Sequence, residues 1–204
     1  MSRRIEMMID LECAGPAPNG AIVSIGYCFF ALEKGTIGPL EGEGSVGRIP
    51  VQVQSCVDIG MEIDEKTMRE FWLKQPDEVR NLWGESGAMP IDQALYALSA
   101  RYQRHKFSDN YLNIWAYPAT YDLSILDRAF DLAKVARPFG RQQYLCARSA
   151  LKGIGFDRST VVIPEQWSTK HVPELDAVRQ AIQLQTGLQP FVQPFDPCAG
   201  GVDI

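Results

Sequence analysis

Residues 5–32, IEMMIDLECAGPAPNGAIVSIGYCFFAL, decide the fold. Ile5 to Leu11 is an apolar run of strand length, closed by the loop from Gly15 to Gly20 with its two prolines. Ala21 to Leu32 is rich in β-branched and aromatic residues. Runs of this kind on either side of a Gly/Pro cluster read as two buried strands joined as a hairpin. Glu33 to Gly47 is turn-rich, and Arg48 to Ser55 (RIPVQVQS) then alternates apolar and polar residues, the pattern of a half-exposed third strand.

Helical spacing takes over beyond it. Asp64 can cap a helix that runs through Gln75 and sets Met68, Phe71 and Trp72 on one face. Pro76 interrupts it, and Asp77 to Trp83 continues as a short helix. Pro90 opens a longer one from Ile91 to about His105, whose polar end should leave His105 exposed. Tyr111 to Tyr117 (YLNIWAY) is a fourth strand, Thr120 to Val135 a helix, Gln142 to Ala147 a short strand, and Ser149 to Gly153 a helical turn. The last helix is predicted from Pro173 to Gln185, with an irregular Gly/Pro-rich tail after Gly187. Three strands followed by alternating helices and strands make an α/β or α+β sheet domain.

The composition agrees. With 204 residues, 46% hydrophobic and 22% charged, the chain has ordinary globular usage, which excludes collagenous, coiled-coil and disordered classes. No apolar run approaches the ~20 residues of a membrane-spanning helix. Asp10 and Glu12 interrupt the N-terminal apolar stretch, so no secretory signal is expected. The five cysteines (Cys13, Cys28, Cys56, Cys146, Cys198) include no C-x-x-C pair, which argues against a zinc site or disulfide framework and for a reducing, cytoplasmic setting. Net charge is −5, yet residues 101–160 carry 10 basic against 5 acidic side chains. A phosphate-tracking surface and ordinary solvated helix faces both satisfy that count.

Three sets of titratable residues stand out. Asp10 and Glu12 are alternate residues at the end of the first strand, so both carboxylates project to one face. Their mutual repulsion is relieved by a hard cation such as Mg²⁺ or Mn²⁺. Asp122 falls in the first turn of its helix, where an acid also complements the helix dipole. His171 precedes the last helix, with Asp176 five residues on; a cap and a surface acid would look the same. Together the order D-x-E, D, H-x-x-x-x-D supplies what a two-metal phosphodiesterase needs. Four carboxylates can hold two ions ~4 Å apart, and His171 can take the proton of the attacking water.

These residues resemble the DEDDh exonuclease superfamily, and within it the group of phage exonuclease A (DexA) and the mycobacterial-type 3′–5′ exoribonucleases. IDLECAG at 9–15 stands at the first motif, IDEKTMREFWLKQ at 63–75 resembles the helix after the third strand, WAYPATYDLSIL at 115–126 the second motif, and HVPELDA at 171–177 the third. The resemblance implies a ribonuclease H-like mixed sheet, its first three strands antiparallel, flanked by helices. It implies one exonuclease domain over 1–204, with a core from about 5 to 185. Asp10, Glu12, Asp122 and Asp176 would be ligands of two Mg²⁺ or Mn²⁺ ions and His171 the general base. Cys13, Trp72, Gln75 and Tyr121 would flank the bound nucleotide. Cys13 stands where Thr or Ser is common, Tyr117 where Asn is frequent, and Cys146-Ala147-Arg148 where the group has Asp-x-Arg.

The activity so implied is 3′–5′ hydrolysis of single-stranded DNA or RNA ends to nucleoside 5′-monophosphates, with no membrane partner and the assembly open between monomer and homodimer. The alternatives are a catalytically silent nucleic-acid- or protein-binding module on the same fold, which has no need of His171 as a base, and a phosphohydrolase of free nucleotides.

Overall fold

A computed structural model describes residues 4–106 and 112–193. Its centre is a five-stranded mixed sheet of order β3-β2-β1-β4-β5. β1 (Ile5–Cys13), β2 (Ile22–Ala31) and β3 (Val46–Pro50) are antiparallel, and β4 (Asn113–Ala116) and β5 (Tyr144–Cys146) lie parallel to β1. This is the ribonuclease H-like α/β arrangement expected from the motifs. Every residue of β2 is buried, which explains its near-continuous apolar sequence, broken by Ser24: both faces are covered.

Two apolar layers flank the sheet. Met7, Ile9, Leu11 and Cys13 point to one side, where they meet α4 (Ile91–His105) and α5 (Ala119–Ala133). Met8, Cys28, Phe30 and Trp115 point to the other, against α6 (Ala147–Gly153) and α7 (Pro173–Leu188).

Several boundaries differ from the sequence expectation. β3 ends at Pro50, because Val53 to Asp58 turns into a helix, α1, that buries Cys56. Asp64 caps α2 (Glu65–Glu70) by accepting from the Thr67 N–H at 2.7 Å, as its sequence suggested. The helix ends at Glu70 rather than Gln75, and a 3₁₀ turn (Trp72–Lys74) follows. The indole of Trp72 drives that break: Nε1 donates to the Cys13 carbonyl at 2.9 Å, burying a ring that a continued helix would carry away. α3 is confined to Asp77–Arg80. α7 runs past Gln185 to Leu188 because Gly187 packs against Leu151 and Phe156 where a Cβ would not fit. His105 is half-buried rather than exposed, its ring stacked on Phe29 at 3.8 Å.

Cys13, Cys28 and Cys56 are buried free thiols and Cys146 is half-buried and free. Cys198, Tyr111 and the tail from 194 onward lie outside the described residues. No helix among the described residues is long and apolar enough to cross a membrane.

Candidate active site

β1 carries the first two carboxylates. Alternation sends Asp10 and Glu12 to the face of Met8, on the side of α7. The pairing with β2 slips between Glu12 and Cys13, a bulge of the kind that re-aims side chains at a strand end. Pairing with β4 ends at Met8–Trp115. Beyond that point the Leu11 N–H donates instead to Oδ1 of Asp122, at 3.0 Å, which draws the first turn of α5 onto β1. The site therefore forms where neighbouring parallel strands diverge at their carboxyl ends, the usual place for a crevice in such sheets.

α7 supplies the rest. Its N-terminus lies directly on β2 at Gly26, where an added Cβ would stand 2.1 Å from the carbonyl carbon of Pro173. Asp176 sits in the first turn, and Gln180, one turn on, donates Nε2 to Asp10 Oδ1 at 2.6 Å. His171 adopts a left-handed backbone (φ 62°), and its N–H donates to Asp176 Oδ2 at 2.8 Å. A non-glycine residue costs of order 1 kcal/mol there, and that hydrogen bond offsets it while aiming the imidazole inward. The ring meets Phe71 edge-on at 5.0 Å.

Ligand atoms of Glu12, His171 and Asp176 lie within 4.8 Å of one another. Asp10, Glu12, Asp122, Asp176 and His171 all line one cavity of about 290 Å³, together with Cys13 and Tyr121.

Glu12, Asp122 and Asp176 are only 3–5% exposed. Burial, followed by the Asp122 charge, pushes the Glu12 carboxyl up to about 8. Burial lifts Asp122 to about 7, against the opposing hydrogen bond from Leu11. Asp10 is raised well above the usual carboxylate range by burial and then by Asp122 and Glu12. Two ionised carboxylates at 4–5 Å repel by about 3–4 kcal/mol at an effective dielectric of 20, more than an ordinary hydrogen bond returns. Arg179 pairs with Asp176 and acts on Asp10 and Glu12, and Arg148 acts on Asp122, two cations against four acids. A hard-oxygen set so crowded fits divalent cations. The His171 imidazole is held below its ordinary range by burial and then by Arg179 and Lys170, so near neutral pH it is unprotonated and able to accept a proton.

A family model for the Rv2179c-like 3′–5′ exoribonuclease domain matches residues 5–188. The chain belongs to this family. No curated protein matches. Membership in the Rv2179c-like exoribonucleases makes nucleic acid the substrate class and 3′–5′ exonucleolytic cleavage the class of activity. The Glu12–His171–Asp176 group is able to hold a metal ion.

Within this exoribonuclease domain the structure does not bring every expected residue to the cavity. Trp72 is 2% exposed and committed to the core, its ring edge-on to Phe71 and Trp83. Gln75 follows the 3₁₀ turn and folds back, donating Nε2 to the Phe71 carbonyl at 3.3 Å. In their place the preceding turns supply Thr67 and Phe71 to the lining. Tyr121 does reach it, anchored by its hydroxyl donating to the Gly15 carbonyl at 2.9 Å. Arg179 and Gln180 escaped the sequence reading. Their only signal was spacing from Asp176, since i+3 and i+4 share its helix face.

Proposed function

We propose that this protein is a DEDDh-type, metal-dependent 3′–5′ exonuclease, a single domain that removes nucleoside 5′-monophosphates from single-stranded 3′ ends. The observation that carries the reading is the convergence of Asp10, Glu12, Asp122, Asp176 and His171 on one cavity. The four carboxylates would hold two Mg²⁺ or Mn²⁺ ions, and the excess of buried negative charge is the reason they fit. When bound, those ions supply Lewis acidity to the scissile phosphate and the attacking water.

The chain's own groups do the remainder. Cys13, Thr67 and Phe71 form the wall for the terminal nucleoside, so the phosphate on its 5′ side falls among the carboxylates. His171 takes one proton from the water as its oxygen bonds to phosphorus. The bond from phosphorus to the 3′-oxygen of the preceding nucleotide breaks, and that oxygen recovers a proton from solvent. Asp176 keeps His171 in place through its backbone N–H, and Gln180 fixes one oxygen of Asp10.

Single-stranded DNA and RNA labelled at the 5′ or the 3′ end, incubated with and without Mg²⁺ or Mn²⁺, test the reading. It expects labelled mononucleotide from the 3′ end, a receding 5′-labelled ladder, and no turnover by Asp10→Ala. Binding without cleavage under both ions would make the chain a silent binding module instead.

A further inference from the structure

A second cavity, of about 350 Å³, adjoins the first, and Tyr117 lines both. Its other walls include Arg148 and Lys152 on α6, and Arg158 with Asp157 just beyond it. Residues 101–160 hold half of the chain's lysines and arginines, and the fold disposes of them unequally. Arg137 and Arg141 are neutralised by Asp127 and Asp131, and Arg128 bonds Asn19. Arg148, Lys152 and Arg158 have no carboxylate partner among the described residues. Asp157, the one acid in this wall, pairs with none of the three cations, and its Oδ1 accepts from the N–H and hydroxyl of Ser159.

Two of these cations are also pre-positioned. The guanidinium of Arg158 lies 4.3 Å from the Tyr117 ring centroid and that of Arg148 lies 5.0 Å from it. Cation–π contact holds both heads against Tyr117, a wall of the cavity, so an anion binding there orders little that is not already ordered. Their fields reach the catalytic cavity: Arg148 acts on Asp122, and Arg158 acts on Arg179.

We infer that Arg148, Arg158 and Lys152, grouped about Tyr117, form a subsite for the backbone phosphate one nucleotide upstream of the scissile linkage. The inference rests on the exonuclease reading for the identity of the chain that occupies it. Direction follows from the exonuclease reading: with the terminal nucleoside against Cys13, Thr67 and Phe71, the second cavity, which shares the Tyr117 wall with the first, is left for the upstream strand. Contacts of this kind are to phosphate and carry no base sequence.

A dinucleotide with and without a 5′-phosphate isolates the subsite, because that phosphate occupies the upstream position. Wild type should show kcat/KM about tenfold or more higher for the phosphorylated dinucleotide, the worth of a charge-assisted contact. Arg148→Gln/Arg158→Gln should bring the ratio close to one. Arg104→Gln, from the same basic segment but away from both cavities, should leave it unchanged. A wild-type ratio near one, or a ratio unchanged in the double variant, overturns the subsite while leaving the exonuclease intact.

Equilibrium binding of a fluorescent single-stranded hexanucleotide in EDTA gives the second readout. The double variant should bind about tenfold more weakly, with the slope of log K against log salt shallower by about 0.7 for each phosphate no longer neutralised. If wild type cleaves nothing with either ion, the exonuclease reading falls and this arm decides alone. Weaker binding with a shallower slope keeps an anion subsite, and unchanged binding removes it.

Discussion

Replacing Gly26 by Ala should damage the catalytic centre from the neighbouring strand, on the face of the sheet that carries Asp10 and α7. The new Cβ would stand 2.1 Å from the Pro173 carbonyl carbon, 2.3 Å from its oxygen and 2.4 Å from the Glu174 nitrogen, all backbone atoms. Ordinary contact begins near 3.4 Å, so β2 and the first turn of α7 must separate by more than 1 Å. His171 and Asp176 travel with that turn, whereas Asp10 and Glu12 stay with β1. A misplacement of ~1 Å costs about 10²-fold in rate where geometry is the main catalytic resource. Overpacking of this sort costs about 1–3 kcal/mol of stability, or roughly 3–10 °C in Tm for a domain of this size.

The measurements are Tm by calorimetry, Mn²⁺ affinity by titration, and the initial rate on a 5′-labelled single strand. Gly153→Ala is the control, since a Cβ there meets nothing within 4 Å. A Gly26→Ala protein with wild-type Tm and rate would refute the argument. One that loses stability but keeps its rate and Mn²⁺ affinity would show that this contact holds the fold without holding the site.

Three further outcomes are expected. His171→Ala should keep Mn²⁺ binding and lose about 10²–10⁴ in rate, the usual share of a general base, measured by single-turnover cleavage; full activity would move the base elsewhere. Glu12 and Asp122, raised from 4.5 and 3.8 to about 8 and about 7, retain protons in the fold that the unfolded chain releases. The metal-free protein should therefore lose Tm as pH rises from 5 toward 8, and Mn²⁺ should restore more of it at pH 8 than at pH 5; a flat Tm profile in EDTA would contradict the crowding of these acids. Burial pushes the Cys146 thiol up, but hydrogen bonds from Ser149 and nearby backbone bring it below 9.0, whereas burial pushes the thiols of Cys13, Cys28 and Cys56 up. Among these four, Cys146 should alkylate first when followed by peptide mass spectrometry.

Much of this was legible in one dimension, because it depends on period and local chemistry. Alternation on β1 was enough to pair Asp10 with Glu12, and the Gly/Pro loop was enough to make the β1–β2 hairpin. The proline before α4 and the Asp64 cap were equally local. Helix and strand ends were less legible wherever a distant partner decided them. The Cys13 carbonyl took the Trp72 indole and ended α2 early, and Leu151 and Phe156 accepted Gly187 and carried α7 on.

The sequence alone determined which residues could do the chemistry, since a carboxylate or an imidazole has its proton affinity and donor atoms wherever it lies. Only tertiary structure decided which of them meet. Asp122 reaches β1 across 111 residues to the Leu11 N–H, and Gln180 reaches Asp10 across 170. Tertiary structure likewise sent Trp72 to the core and gathered three of the ten cations in residues 101–160 at one cavity. The reason is physical: charge repulsion, burial and hydrogen-bond satisfaction depend on distance through space, and separation along the chain does not encode that distance.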